Sequence, residues 1–275
     1  MVILALDTTT RAGSTALLRD DQVLAVATGD PARTHAERLP AALVRVLQGQ
    51  QLGLLDVDVF AVAAGPGSFT GLRIGIATIQ GLAFAVGRPV VGVSTLDALA
   101  EVAREADSGG APLVAAWMDA QRNEVFAALY RTRQPGAVAV PLDAARGASS
   151  DSRKAQGTPP RHPSAAAAQG TPPTPLALID GPVSEPPVRV LDRWQALTRG
   201  QPISVAGDGI ARYRQDLVER LGAGFRPVEP LPPLAPTIAR IAGREAAAGR
   251  GVAPHAIRPV YVRRPDAELA RDRKR

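Results

Sequence analysis

The stretch AVAAGPGSFTGLRIGIATIQG, residues 61–81, decides how the chain is read. An apolar run over Val57–Ala63 predicts a short buried strand, Gly65-Pro66-Gly67-Ser68 a tight turn, and Phe69 to about Val86 a helix. Glycines on either side of a proline suit a turn with unusual backbone angles. Ser68 is placed to accept a hydrogen bond from a free N–H of the first helical turn. Gly71, Gly75 and Gly81 each cost the helix about 0.8–1 kcal/mol relative to alanine, so something must compensate. Close approach of another backbone is the expected compensation. Ala77, Thr78 and Ala85 are also small, while Leu72, Ile76, Ile79 and Leu82 supply an apolar face. The turn admits two readings. Backbone N–H groups and the helix dipole can cradle a phosphate there. The turn lacks the Lys-Ser/Thr ending of a P-loop and the spacing of a dinucleotide fingerprint, and a plain turn before a tightly packed helix accounts for the same residues.

On the N-terminal side, Met1–Leu6 reads as a buried strand ending at Asp7, followed by the polar turn Thr8-Thr9-Thr10. Ser14–Arg19 and Gln22–Thr28 form further strands joined by an Asp20-Asp21 hairpin. An acidic residue ending a first strand, followed by hydroxyls and a hairpin, is how actin-like phosphotransferases present a metal–nucleotide site. A turn aspartate bonding its own backbone is the commoner use of such a residue. Thr34-His35-Ala36-Glu37 fits a capping box, with Thr34 as cap and Glu37 reaching back. Leu39, Ala42, Leu43, Val46 and Leu47 continue at helical spacing, and Pro40 is expected to kink or delay the helix. His35 has no partner at ligand spacing and reads as a surface residue.

On the C-terminal side, Pro89–Val93 is another buried strand, and Ser94 or Thr95 opens a helix through Val102 and Ala103. The strand–Asp–turn–strand plan of residues 3–19 then recurs at 113–131, with Asp119 closing Leu113–Met118 and Glu124–Tyr130 returning. That is the trace a duplicated fold leaves. Residues 143–175 are dominated by Pro, Gly, Ser, Thr and Ala, with GTPP at 157–160 and 170–173. Such composition predicts a disordered insertion. Order returns with a strand at Leu176–Ile179, then Val188–Leu191 and a short helix over Asp192–Leu197 carrying Trp194. Ile203–Ala206 leads through Gly207-Asp208-Gly209 into a helix over Ile210–Leu221. Ala235–Ala248 is a last helix, Ile257–Val262 a closing extended segment, and the end of the chain a basic tail. The expected division is 1–108, an N-terminal lobe, and 109–275, a C-terminal lobe carrying the insertion.

Hydrophobic residues make up 45% of the 275, enough for a sizeable core. No apolar run approaches the roughly 20 residues that span a bilayer. The N-terminus lacks a basic segment followed by a small-residue cleavage site. With no cysteine, disulfides, a thiol nucleophile and a cysteine zinc site are all excluded. A cytoplasmic protein with no membrane partner is expected. The net charge of +6 is nearly all arginine, and no RNA-binding signature accompanies it.

The constellation resembles the TsaB (YeaZ) family. LALDTTT at 4–10, THAERLP at 34–40, GPGSFTGLRIG within 65–75, VGVSTLDALA at 91–100 and IRPVYVRRPDAE at 257–268 carry the likeness. The resemblance implies an α/β fold of actin-like ATPase architecture, with two ribonuclease-H-like lobes of mixed sheets and flanking helices. It implies a non-catalytic subunit that activates a TsaD-like catalytic subunit, with a TsaE-like ATPase, in forming threonylcarbamoyladenosine beside the anticodon of tRNA. Where TsaD places two metal-binding histidines four residues apart, this sequence has Thr95 and Leu99, so neither a metal nor a catalytic residue is expected. Pairing with TsaD, or with a second copy, is implied through helices of the first lobe. The expected contact set is Thr34, His35, Glu37, Leu39, Leu43, Gly71, Arg73, Gly75, Thr78 and Leu82, the glycines admitting another helix. The subunit requires no cofactor of its own, and an adenine nucleotide at the complex interface is left open. Asp7, Thr8, Thr9, Gly65, Gly67, Ser68, Gly207 and Gly209 would lie nearest to it. The alternative reading is an autonomous ATP-dependent phosphotransferase using those same loops, for which no motif marks a general base.

Overall fold

The computed structural model describes residues 1–10, 12–29, 35–132 and 176–263, with backbone alone at 35–38 and 40. The insertion at 143–175 and the basic tail from 264 onward lie outside the described residues. The chain runs β1 (Val2–Asp7), β2 (Ser14–Arg19), β3 (Gln22–Thr28), α1 (His35–Gln48), β4 (Val59–Gly65), α2 (Phe69–Ala85), β5 (Val90–Ser94) and α3 (Thr95–Ala106). It continues through β6 (Leu113–Asp119), β7 (Val125–Thr132), β8 (Leu176–Glu185), α4 (Pro187–Thr198), β9 (Ile203–Ala206), α5 (Gly209–Arg212), α6 (Arg214–Leu221), β10 (Phe225–Pro227) and α7 (Ala235–Ala247).

The strands form two five-stranded sheets, ordered β3-β2-β1-β4-β5 and β8-β7-β6-β9-β10. In each, three meandering antiparallel strands are followed by two parallel ones. The recurrence seen between residues 3–19 and 113–131 is therefore a duplicated mixed sheet, and the fold is the actin-like pair of ribonuclease-H-like lobes.

Period-2 alternation sorts each central strand between two layers. Val2, Leu4 and Leu6 of β1 pack outward on Leu39, Leu43 and Val46 of α1 and Ile76 and Ile79 of α2. Ile3 and Ala5 face the interior, with Ile238 and Ala242 of α7. In β6, Val114, Ala116 and Met118 face that same interior layer, while Leu113, Ala115 and Trp117 pack toward α4 and α6. Helices α3 and α7 thus lie between the sheets, and one apolar cluster runs through both lobes. Helix α7, from the second half of the chain, packs on β1, β2, β4 and β5 of the first sheet, across the division expected at residue 108.

Several boundaries differ from the sequence reading. Helix α1 runs unbroken across Pro40, because the buried face of Leu39, Leu43 and Val46 holds it. The helix expected over 210–221 is broken at Tyr213, whose φ of −112° and ψ of 24° are not helical. Residues 188–191 belong to α4, which starts at Pro187, a favoured first helical position. Strand β8 continues to Glu185, and the short β10 has no recognisable pattern of its own. Ile257–Val262 forms no named strand, although the Val260 N–H donates to the Ala64 carbonyl at 2.7 Å.

Glu101 fastens the two interior helices. Its carboxylate, with 4% of the side chain exposed, accepts two bonds from Arg104 at 3.0 Å and one from Arg244 of α7 at 3.3 Å. Hydrogen bonds to charged groups contribute about 1.5–3 kcal/mol each. Glu101→Ala is expected to lower the unfolding free energy by about 2–3 kcal/mol in urea titration. Glu105→Ala, at the helix surface, is expected to change it by less than about 0.5 kcal/mol.

Candidate functional site

Two surfaces emerge from the turn at the end of β4. The first is the mouth between the lobes, where the C-terminal ends of β1, β4, β6 and β9 bring together the turns expected to lie near a nucleotide. Asp7 closes its own turn: one oxygen accepts from the Thr9 N–H at 2.8 Å and the Thr9 hydroxyl at 2.6 Å, the other from the Thr10 hydroxyl at 2.6 Å. Across the mouth, Asp119 accepts from Arg212 at 3.0 Å and from the Gln121 N–H at 2.9 Å. Asp208 accepts from the Asp119 N–H at 3.2 Å. Part of the Asp208 side chain reaches solvent, yet packing around its carboxyl raises it above its ordinary range. The nearby Asp119 and Asp7 charges add to that rise.

The glycines of these turns are spent within the chain. Gly65 has φ of +115°, and a Cβ there would stand 2.4 Å from the Val260 carbonyl oxygen. A Cβ at Gly67 would stand 2.5 Å from Cβ of Thr9. Gly207, at φ +145°, would strike the Trp117 oxygen at 2.1 Å, and Gly209 the Asp119 nitrogen at 2.9 Å. At these four positions Val260, Thr9, Trp117 and Asp119 stand too close for any side chain. Ser68 caps α2 by accepting from the Gly71 N–H at 3.3 Å. Among the described residues, no group of three or more His, Asp or Glu is arranged to hold a metal ion.

The second surface is the outward face of α2. Its inner side is Gly71, Leu72, Gly75, Ile76, Ile79 and Ala83. The side turned to solvent carries Thr70, Arg73, Ala77, Gly81 and Phe84. Phe84 is 78% exposed, and nothing lies within 4 Å of a Cβ built on Gly81. Arg73 is the only charged residue of the helix. Helix α1 lies to one side, with Val44 49% exposed. On the other side runs residues 254–263, a strap held by Gln80 Nε2 donating to the carbonyls of Pro254 (2.9 Å) and Ile257 (3.3 Å). Tyr261 closes the strap onto Phe69, ring centroids 5.5 Å apart, and the Arg73 guanidinium sits 4.0 Å from the Phe69 centroid.

Comparison with known proteins ties this architecture to a family. A family model described as TsaD, tRNA N6-adenosine threonylcarbamoyltransferase, matches residues 29–169. A solved Pseudomonas aeruginosa structure, described as similar to peptidase YEAZ, superposes with a TM-score of 0.69 at 31% identity. That superposition covers 95% of this chain and 99% of the other. YeaZ from the same organism gives a TM-score of 0.66, also at 31% identity, over 94% and 99%. The chain belongs to the TsaB (YeaZ) family.

Two relatives named tRNA threonylcarbamoyladenosine biosynthesis protein TsaB are each 41% identical. The Haemophilus influenzae protein aligns over 126 residues, 46% of this chain and 52% of that protein. The Escherichia coli protein aligns over 136 residues, 50% and 58%. The chain spans about half the length of the curated relatives it matches.

Within this TsaB-family chain the expected contact residues separate. Gly71 and Gly75 are not open to a partner. A Cβ on Gly71 would meet the Thr8 carbonyl oxygen at 2.1 Å, and one on Gly75 the Thr8 hydroxyl at 2.2 Å. Their compensation is intramolecular: the β1–β2 turn nests into α2, with the Thr8 hydroxyl donating to the Gly71 carbonyl at 2.7 Å. A leucine at Gly75 would be driven into Thr8 and would harm the isolated chain first. Leu39 and Leu43 are likewise buried in the core of the first lobe. Arg73 is exposed, and Thr78 and Leu82 are half-buried beside it. Thr34 and the side chains of His35 and Glu37 lie outside the described residues. Phe84, Ala77 and Thr70, not among the expected contact residues, share this exposed side of α2. The sequence signal was their spacing with Arg73 and Gly81, which repeats every three or four residues opposite the apolar face.

Gly71→Ala is expected to lower the unfolding free energy by about 1–3 kcal/mol through overpacking, despite alanine's better helix propensity. Gly81→Ala, facing open space, is expected to raise it by up to about 1 kcal/mol. Opposite signs in thermal or urea unfolding check the assignment of the two glycines.

Proposed function

We propose that this chain is a non-catalytic subunit of a complex forming threonylcarbamoyladenosine in tRNA, beside the anticodon. It docks a TsaD-like catalytic subunit on α2 and the exposed edge of α1, and a TsaE-like ATPase acts in the same assembly. The observation that carries this reading is the outward face of α2, where small residues and an exposed phenylalanine accompany a single charge, Arg73. Interfaces are marked by such depletion of charge around aromatic anchors. The TsaD family model spans residues 29–169, which include α1 and α2, so a partner of that family has helices of the same origin to offer.

Two observations favour a scaffold over an enzyme. Thr95 and Leu99, at the positions where the resemblance puts the metal-binding histidines of TsaD, are wholly buried. A hydroxyl and an alkyl group do not replace two imidazoles at a metal. The glycines of the turns that an autonomous phosphotransferase would use lie close against Thr9, Val260 and Trp117, which accounts for them without a nucleotide. On this reading any nucleotide that the assembly requires is carried by the partner. The tRNA is assigned to the assembled complex.

Ala77→Glu places a charge at the centre of the proposed contact without touching the core. It is expected to weaken association with the TsaD-like subunit at least tenfold, about 1.4 kcal/mol, while leaving the melting temperature of the isolated chain nearly unchanged. Titration calorimetry against the purified partner, followed by threonylcarbamoyladenosine formation on tRNA in the reconstituted mixture, reads both consequences. Undiminished binding by the folded variant would remove α2 from the interface. Transfer to tRNA by this chain alone would overturn the scaffold reading.

A further inference from the structure

Arg263, the last described residue of the strap, reaches out of the first lobe and into the second. One of its terminal nitrogens donates to the Ala120 carbonyl at 3.0 Å and to Glu124 at 3.1 Å. Its guanidinium carbon stands 5.8 Å from the centre of the Phe126 ring, within the range of a cation–π contact. Glu124 is fixed in turn by the Ser184 hydroxyl of β8, which donates to it at 2.8 Å. The earlier part of the strap belongs to the first lobe. Gln80 holds the carbonyls of Pro254 and Ile257, and the Val260 N–H is bonded to Ala64. Tyr261 therefore lies between an anchor on one lobe at residue 260 and an anchor on the other at residue 263, a span of about 10 Å in extended chain.

The turn that Arg263 grips is itself strained. Gln121, Arg122 and Asn123 have φ of 61°, 55° and 60°, left-handed backbone that residues other than glycine rarely adopt even once. Such a conformation persists only where its surroundings over-determine it. Arg212 holds the turn from one side, donating to Asp119 at 3.0 Å and to the Asn123 side-chain oxygen at 3.0 Å. Arg263 holds it from the other. Turn and strap thus fix each other, and what the strap presents to the first lobe is Tyr261. Its ring packs on Phe69 at the first turn of α2, centroids 5.5 Å apart, and the two residues are 38% and 39% exposed. That pair continues the outward face of α2 through Arg73, whose guanidinium lies over the Phe69 ring.

We propose that Arg263 is a positioning residue for partner docking: by clasping the β6–β7 turn it holds Tyr261 against Phe69, so that the second lobe sets the shape of the surface offered by the first. The inference rests on the reading of α2's outward face as the docking site of a TsaD-like subunit, and adds a control on that site from across the mouth. Arg263 acts without touching the partner. With 24% and 30% of the two side chains accessible, the Arg263–Glu124 pair contributes little to overall stability. Its effect is on the order of the strap rather than on folding. Linkage makes the control reciprocal: a partner that orders Tyr261 also steadies the turn at 120–124.

A double-mutant cycle on affinity separates this role from a structural or a direct one. In titration calorimetry against the purified TsaD-like subunit, Tyr261→Ala is expected to bind at least about tenfold more weakly. Arg263→Ala should lose at least about fivefold, the scale of one coupled contact, with a melting temperature close to that of the parent chain. Arg263→Lys, which keeps a charge opposite Glu124, should lose less than about twofold. Adding Arg263→Ala to Tyr261→Ala should cost nothing further, because the arginine acts through the tyrosine. Losses that multiply in the double variant would put Arg263 in direct contact with the partner and overturn the proposal. Unchanged binding by folded Arg263→Ala or Tyr261→Ala would overturn it too, and if Ala77→Glu still weakened association the docking face would stand. Unchanged binding by Ala77→Glu as well would remove the docking face itself. Should Arg263→Ala fail to fold, Glu124→Gln, which keeps an acceptor for Ser184, takes its place in the cycle. Hydrogen exchange gives the reciprocal reading: partner binding should slow the amides of residues 120–124 in the parent chain and not in Arg263→Ala. Equal slowing in both, or none in either, would overturn the coupling.

Discussion

The close contact between Thr8 and helix α2 sets the geometry of the first lobe. With no Cβ at Gly71 or Gly75, the turn after β1 drops onto the helix until its carbonyl and hydroxyl reach the helix backbone. That contact fixes α2 over the first sheet at a depth no alanine would allow. It fixes the start of α2 as well, because the Ser68 N–H donates to the Thr9 carbonyl. Everything outward of the helix follows. Since the glycines are consumed inside, the opposite side of α2 is the one presented to solvent, and the strap comes to lie along its flank.

The duplicated sheet creates a second constraint. Both central strands, β1 and β6, are buried on both faces, so each sheet needs a covering layer on either side. Helices α3 and α7 cover the inner faces of both, and the Glu101 carboxylate ties them together through Arg104 and Arg244. The mouth between the lobes is drawn tight by the same economy of space. Gly207 and Gly209 press against β6, Gly65 against the strap, and Gly67 against Thr9. The glycines of these turns let the chain pack closely on itself. The outward face of α2, by contrast, carries Arg73 among small residues and the exposed Phe84.

Much of this was legible beforehand. The alternation in LALD and the turn GPGS placed β1, β4 and the start of α2 within a residue or two, because burial on alternate faces and glycine conformations are local constraints. The internal repeat gave both sheets their meander. The sequence reading grouped Asp7, Gly65, Gly67, Gly207 and Gly209 as residues that would lie near a nucleotide. Their internal use could not be seen, since the atoms that fill them belong to Thr9, Trp117 and Val260, distant in sequence. The same blindness put Leu39, Leu43, Gly71 and Gly75 on an interface. Periodicity shows that a helix has two faces but not which neighbour covers each.

By itself, the sequence determined the element order, the duplication, the absence of thiol chemistry and the family resemblance, all of which reside in composition, spacing and short motifs. Only the tertiary structure decided which glycines of α2 are consumed inside the chain and which one stands open. Gly71 and Gly81 are the same residue in the same helix. The difference is the Thr8 carbonyl, 2.1 Å from one Cβ position, and empty space beside the other. That distinction arises from where a distant turn lands, and steric exclusion acts between neighbours in space, whatever their separation along the chain.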